Sequence, residues 1–129
     1  MLNRLYVKGQ GVTSTEFWVS GDPDTGEGIN GLYVYGGGMD NTAAPPYAAS
    51  SLGIFCGQKI GVIRLGDDTD LVNTDITTFK SLDKLNVGGD IRFDGDMSIA
   101  APHGIGKLIA GRVVTAGGGT LHIGTGLLQ

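Results

Sequence analysis

Cysteine is almost absent from this sequence. Cys56 is the only one in 129 residues, so no intrachain disulfide can form, and a small secreted domain held together by disulfides is excluded. Long hydrophobic runs are absent too. No stretch approaches the length of a membrane span, and the N-terminal MLNRLYVKGQG lacks the apolar core of a signal peptide. We therefore expect synthesis and folding in a reducing cytoplasm, with no membrane partner.

Basic residues are few and scattered. Nine Lys and Arg residues occur singly along the chain against thirteen acidic residues, which gives a net charge of −4. A protein that follows a nucleic-acid backbone needs a basic stripe or patch, and the sequence shows none. We therefore expect no nucleic-acid partner.

Catalytic signatures are also missing. The chain has two histidines, His103 and His122, and no G-x-S-x-G, H-E-x-x-H or C-x-x-C motif. Cys56 lies in the apolar run GIFCGQ, which favours a buried small hydrophobe over a nucleophile. A Cys56–His–Asp arrangement stays open as an alternative, because triad partners need only be close in space. The sequence favours a non-enzymatic protein without a cofactor.

Glycine and aspartate are the residues that the chain has in excess. Glycine occurs 24 times without a three-residue period, so collagen is excluded. Of the acidic residues only Glu16 and Glu27 are glutamates, and the others are all aspartates. Glutamate favours helices, whereas the short side chain of aspartate bonds nearby backbone in turns and caps. This composition indicates a turn-rich β protein.

Short apolar segments follow one another between Gly, Asp, Pro, Asn and Ser residues. This spacing predicts a mainly β fold, a small antiparallel sandwich or barrel, as a single domain over 1–129. Strands bounded by glycine would also suit a short solenoid, although no repeat of constant length is visible. The predicted strands are 4–9, 15–20, 31–36, 52–57, 59–65, 90–95, 96–100, 106–115 and 120–124.

One segment has a helical period. Ile76, Phe79, Leu82 and Leu85 are three residues apart, with polar capping residues before them and a glycine after them. This pattern predicts one short amphipathic helix over about 74–86.

The longest irregular stretch is GGGMDNTAAPPYAASS, residues 36–51. Pro45 and Pro46 exclude a helix there, and the small side chains offer little to bury. We expect an exposed loop or an extended arm that lies on a neighbouring subunit. Residues 1–12 are the other candidate for such an arm.

The segment DIRFDGDMSI predicts a hairpin with a defined register. A three-residue loop, DGD, pairs Phe93 with Met97 and Ile91 with Ile99, so that all four apolar side chains share one face. A two-residue loop would set them opposite polar residues instead. RVVTAGGGTLHIG, further along the chain, predicts a second hairpin.

A G-x-G-x-x-G match is formed by Gly26, Gly28 and Gly31. A dinucleotide site needs this motif between a buried strand and a helix, whereas the strand-like LYVYGGG follows here. Turn glycines are therefore the favoured interpretation. In the strand GLYVYG, Leu32 and Val34 should face one side and the two tyrosines the other.

A loop just before that strand carries three carboxylates. Asp22, Asp24 and Glu27 in DPDTGEG resemble the alternating oxygen ligands of a calcium loop, but the pattern departs from an EF-hand. Solvated turn aspartates are the favoured interpretation. A structural calcium ion at these three residues is the alternative.

Three aromatic residues could form a stacking platform for sugar rings. These are Trp18, Tyr33 and Tyr35, of which the two tyrosines share one face of their strand. Half-buried strands normally carry aromatic residues in this way, so a core or a subunit interface is the favoured interpretation. A carbohydrate-binding or receptor-binding β module is therefore the alternative function.

Three stretches carry a resemblance to a known class of proteins: MLNRLYVKGQGV, GGGMDNTAAPPYAASS and GRVVTAGGGTLHIGTGLLQ. In these stretches the chain resembles small virion proteins of tailed bacteriophages, particularly capsid cement (decoration) proteins and minor tail subunits. Such proteins are short, rich in Gly, Ala and Thr, mildly acidic and poor in cysteine.

The resemblance implies a non-enzymatic structural subunit made in the host cytoplasm and located in the virion. It implies a homo-oligomer, a trimer in the cement proteins, that contacts a major capsid or tail protein. Apolar contacts at the junctions between capsid subunits would stabilise the shell.

Overall fold

The computed structural model describes residues 2–8, 12–13, 17–35, 39–40, 52–67, 69–93, 95–115 and 119–124. Every regular element in these residues is a β-strand. The strands are β1 Leu2–Lys8, β2 Val12–Thr13, β3 Phe17–Val19, β4 Glu27–Tyr35, β5 Met39–Asp40, β6 Leu52–Cys56, β7 Lys59–Leu65, β8 Leu71–Val72, β9 Thr74–Thr78, β10 Leu82–Val87, β11 Ile91–Phe93, β12 Met97–Ala100, β13 Ile105–Ile109, β14 Val113–Thr115 and β15 Leu121–Gly124.

The strands form a parallel β-solenoid with three sheets. Sheet 1 has the order β1-β4-β7-β10-β13, sheet 2 has β2-β5-β8-β11-β14, and sheet 3 has β3-β6-β9-β12-β15. Each set of three successive strands is therefore one rung, and the chain winds from the first rung to the fifth in four turns. Neighbouring strands in every sheet are parallel and belong to successive rungs.

The predicted antiparallel sandwich or barrel is therefore wrong. Short strands with glycine and aspartate at their ends suit both architectures, but here each corner directs the chain into the next sheet instead of back along the same one. The chain returns to a given sheet only after a complete turn, in its original direction, so the pairing is parallel. In the described residues the one antiparallel contact outside the sheets is a bridge between Asp22 and Glu27.

Inward apolar side chains form continuous columns along the solenoid. In sheet 1, Leu5 pairs with Leu32, which pairs with Ile63, then Leu85 and finally Leu108. The three inner members of this column are fully buried, and the first and last are partly buried. A second column through Ile29 and Ile60 lies three residues earlier in each strand, and these two are also fully buried. The two residues between these columns point outward, so sheet 1 follows the pattern apolar-x-x-apolar-x-apolar.

This pattern explains why the predicted helix over 74–86 is wrong. The segment contains β9 and β10 in place of a helix. Leu82 and Leu85 are three residues apart because both face the core on either side of the outward pair. Ile76 is buried under sheet 3, whereas Phe79 is 68% exposed and lies beyond the end of β9.

The predicted hairpin in DIRFDGDMSI is wrong as well. β11 pairs with β8 and β14 in sheet 2, whereas β12 pairs with β9 and β15 in sheet 3. All four predicted apolar residues are nevertheless buried, because the two sheets face one core: Ile91, Phe93, Met97 and Ile99. The second predicted hairpin separates in the same way, with β14 in sheet 2 and β15 in sheet 3.

The two predicted arms are only partly described. Within 36–51, Met39 and Asp40 form β5, which pairs with β2 and β8, and the remaining residues lie outside the described ranges. Within 1–12, β1 is an edge strand of sheet 1 paired with β4. Residues 2–8 are therefore part of the solenoid.

Replacing Leu85 by alanine tests the inward column. The side chain is fully buried in the fourth rung, so the loss of its contacts and the cavity left behind should lower the free energy of unfolding by about 2–5 kcal/mol. Leu108→Ala, in the same column but partly buried in the fifth rung, should cost less. Urea unfolding followed by circular dichroism measures both. Equal losses of unfolding free energy in the two variants would contradict the deeper burial of Leu85 in the column.

Candidate functional site

The outer surface of sheet 3 is the candidate site. Because side chains alternate along a strand, Phe17 and Val19 point towards the core and Trp18 points outward. Trp18 pairs in register with Phe55, and the same register continues to Thr77, Ala100 and Gly124. We call these five residues the first outward row.

Aromatic rings dominate one end of the first outward row. The rings of Trp18 and Phe55 are stacked, with centroids 4.4 Å apart and an angle of 23° between their planes. Trp18 is 69% exposed, so most of its indole surface contacts solvent. The other three residues of the row, Thr77, Ala100 and Gly124, have small side chains, so the opposite end of the row projects less from the sheet.

A second outward row lies two residues further along each rung. It consists of Ser20, Gly57, Phe79 and Pro102, each two residues after its partner in the first outward row. The main-chain hydrogen bonds continue there: Gly57 N–H donates to Val19 O at 2.9 Å, and Phe79 N–H donates to Cys56 O at 3.2 Å. In this row the small residues are at the first two rungs and the bulky ones at the next two.

Two apolar hollows lie where the side chains of these rows are small. The first has a volume of about 240 Å³ and is bounded by Trp18, Phe55 and Phe79, with Cys56 in its floor. The second, of about 340 Å³, lies on the other side of Phe79 and is bounded also by Ala100 and Pro102. No charged side chain lines either hollow. The surface is therefore suited to apolar or aromatic groups.

Cys56 is buried, as its apolar context predicts. Its side chain is 4% exposed, and its thiol donates a long hydrogen bond to Lys59 O at 3.9 Å. It forms part of the floor of the first hollow.

The predicted calcium residues lie in the corner that connects the first and second rungs. Asp22 Oδ1 accepts a hydrogen bond from the Asp24 N–H at 2.9 Å, and the Asp22 N–H donates to Glu27 O at 2.8 Å. Within the ranges that the structure describes, no three His, Cys, Asp or Glu side chains are grouped so that they could hold a metal ion. The Asp22 carboxylate thus supports the turn itself.

The G-x-G-x-x-G glycines belong to this turn and to the strand after it. Gly26 has a φ of +77°, which favours glycine, and Gly28 and Gly31 lie within β4. No helix follows them, so the geometry of a dinucleotide loop is absent from this part of the chain.

The predicted aromatic trio is divided between two sheets. Tyr33 and Tyr35 lie on the outer side of sheet 1, with Leu32 and Val34 buried beneath as predicted. Tyr33 stacks on Tyr6, with ring centroids 4.8 Å apart. Trp18 lies on sheet 3, next to Phe55.

Sequence reasoning missed Phe55 and Phe79 as neighbours of Trp18. Aligning the segments FWVSG, IFCGQ and ITTFK would have brought them together, because these are the corresponding segments of three successive rungs.

A ladder of charges lies at the corner between sheets 1 and 2. Arg92 bonds Asp70 at 3.0 Å and Asp90 at 3.2 Å, and Arg112 bonds Asp90 at 2.9 Å. The hydrogen bond from Arg112 keeps the pKa of Asp90 below its usual value. Partial burial of the carboxylate opposes this shift, and the positive charges of Arg112 and Arg92 add to it. The same contact raises the pKa of Arg112. The ladder connects the third, fourth and fifth rungs.

Aspartates also connect rungs through the backbone. Asp70 Oδ1 accepts from the Asp90 N–H at 2.7 Å, Asp75 Oδ1 from the Ser98 N–H at 2.9 Å, and Asp96 Oδ1 from the Thr120 N–H at 3.0 Å. The abundance of aspartate was predicted to serve turns. In these three cases the bonded N–H is near in space but 20 to 24 residues away in sequence.

No protein-family model, curated protein or solved structure matches this chain. Among the described residues there is no helix of the length and hydrophobicity that would cross a membrane.

Replacing Asp90 by asparagine tests the ladder through its pH dependence. Because the folded pKa lies below the unfolded value of about 3.9, the ladder stabilises fully above that value and stops stabilising as the pH falls through the folded pKa. Asp90→Asn should therefore be less stable than the wild type at neutral pH, and the difference should shrink in acid.

Urea unfolding between about pH 7 and about pH 3 measures this difference. Asp24→Asn, an exposed turn carboxylate, controls for the loss of one negative charge. If the unfolding free energy of Asp90→Asn differs from that of the wild type by the same amount at every pH, the lowered pKa of Asp90 in the folded protein is contradicted.

Proposed function

We propose that this chain is a non-enzymatic structural subunit of a larger assembly, most consistent with a viral capsid cement or decoration protein. The observation that carries the proposal is the outer surface of sheet 3, where Trp18 and Phe79 are exposed beside two apolar hollows. Exposed apolar surface of this kind is characteristic of contacts between proteins.

The solenoid suits such a role because its backbone is fixed by hydrogen bonds from rung to rung. Little conformational freedom would be lost when sheet 3 contacts a partner, so more of the apolar contact energy would stabilise the assembly. The proposed partners are further copies of this chain and a major capsid or tail protein, and the proposed location is the virion after synthesis in the host cytoplasm.

A carbohydrate-binding or receptor-binding module is the second candidate. The exposed indole of Trp18 favours it, together with Ser20 and Thr77, whose side chains border the same hollow. An aromatic ring can stack on a sugar ring while hydroxyl groups bond its edge. A glycan array probed with the chain and with Trp18→Ala separates the two candidates: a signal that depends on Trp18 favours the module, and no signal removes it.

Particle purification tests the structural role directly. Particles isolated by density gradient from a host that produces the chain should contain it in a constant ratio to the major shell protein. Particles made without the chain should release their nucleic acid at a lower temperature, because apolar contacts between shell subunits have been removed. Quantitative mass spectrometry and a dye-release melting curve measure these two outcomes. A chain found only in the soluble fraction would contradict the proposal.

A further inference from the structure

Bulky and small side chains alternate diagonally on the outer surface of sheet 3. In the first outward row the bulky residues, Trp18 and Phe55, are at the first two rungs. In the second outward row the bulky residues, Phe79 and Pro102, are at the third and fourth rungs. The hollows occupy the two remaining quarters of the surface. Two ridges and two hollows therefore lie on one face.

We infer that this face pairs with the same face of a second copy about a two-fold axis parallel to the solenoid. The inference rests on the proposed role in protein contacts and names the partner of that surface. The axis would lie over the inward line of residues between the two outward rows, which includes Cys56 and Thr78.

A rotation of 180° about this axis exchanges the two rows and leaves the rung level unchanged. The ridge of Trp18 and Phe55 then lies over the first hollow of the other copy, at the level of Gly57. The ridge of Phe79 and Pro102 lies over the second hollow, at the level of Ala100. Every ridge enters a hollow, which is the self-complementarity that a two-fold contact requires.

The polarity of the face favours a second copy as well. Neither hollow is lined by a charged side chain, and the buried centre of a homodimer interface is more apolar than the general protein surface. Charges occur at the two edges of the face, with Asp75 in sheet 3 before the rows and Lys80 after them. The two-fold rotation brings the Asp75 edge of one copy to the Lys80 edge of the other.

The size of the face sets the expected strength of the pairing. Five strands about 4.8 Å apart and about five residues long give a flat area of roughly 300 Å² per copy, to which the ridges and hollows add. Stable interfaces bury about 800 Å² per partner, so this one belongs to the small, reversible class. We expect a dissociation constant between about 10 μM and about 1 mM.

Sedimentation equilibrium of the isolated chain, from about 10 μM to about 1 mM, tests the pairing. The mass should increase with concentration towards that of two chains and no further. Phe79→Asp removes a ridge and buries a charge, and Ala100→Trp fills a hollow. Each should raise the dissociation constant by about 30-fold or more. Tyr6→Asp is the matched control, because it makes the same change at an aromatic residue of sheet 1 that is 52% exposed. This variant should leave the dissociation constant unchanged.

Far-UV circular dichroism confirms that the variants are folded, which is expected since Phe79 is exposed and Ala100 points outward. A wild-type chain that is monomeric at every concentration would overturn the pairing, and so would a trimer. A dimer that is unaffected by both Phe79→Asp and Ala100→Trp would also overturn it. A monomer that still enters particles overturns the pairing alone, whereas a dimer that never enters them overturns only the proposed function.

Discussion

The inward apolar columns determine where all other side chains of this protein lie. Parallel hydrogen bonding requires each rung to sit directly on the one before, and the fully buried side chains of Leu32, Ile63 and Leu85 keep the rungs in that register. A shift of one residue would expose the column and bury the outward polar residues. The third, fourth and fifth rungs thereby bring residues 20 to 24 positions apart in sequence into contact. The aspartate bonds and the arginine ladder then connect successive rungs.

The candidate site follows from the same constraint. Sheet 3 places Trp18 against Phe55 because their neighbours Phe17 and Ile54 are paired in register and both pack into the core. The side chains between the columns are free to vary in size, and on this sheet they form ridges and hollows. A rigid framework with a variable outer face suits a subunit that acts by contact, since the surface is formed before the partner arrives.

Composition and alternation predicted part of this structure. Glycine and aspartate indicated a turn-rich β protein, and the alternation in GLYVYG correctly separated buried Leu32 and Val34 from the outward tyrosines. The sandwich and the helix were wrong for a physical reason. Leu82 and Leu85 are three residues apart in an extended strand, and this spacing is indistinguishable from a helical period until the same pattern is recognised in the other rungs. The long second rung, which contains 36–51, concealed that repeat, and with it the position of Phe55 and Phe79 beside Trp18.

Backbone nuclear Overhauser effects test the stacked rungs most directly. Parallel strands bring the amide hydrogens of one strand close to the Hα atoms of the next, whereas antiparallel pairs bring Hα atoms together. The structure predicts amide-to-Hα cross-peaks that connect Ile63 with both Leu32 and Leu85. A strong Hα-to-Hα cross-peak between Phe93 and Met97 would instead show an antiparallel hairpin, and would contradict the solenoid and the outer face that is built on it.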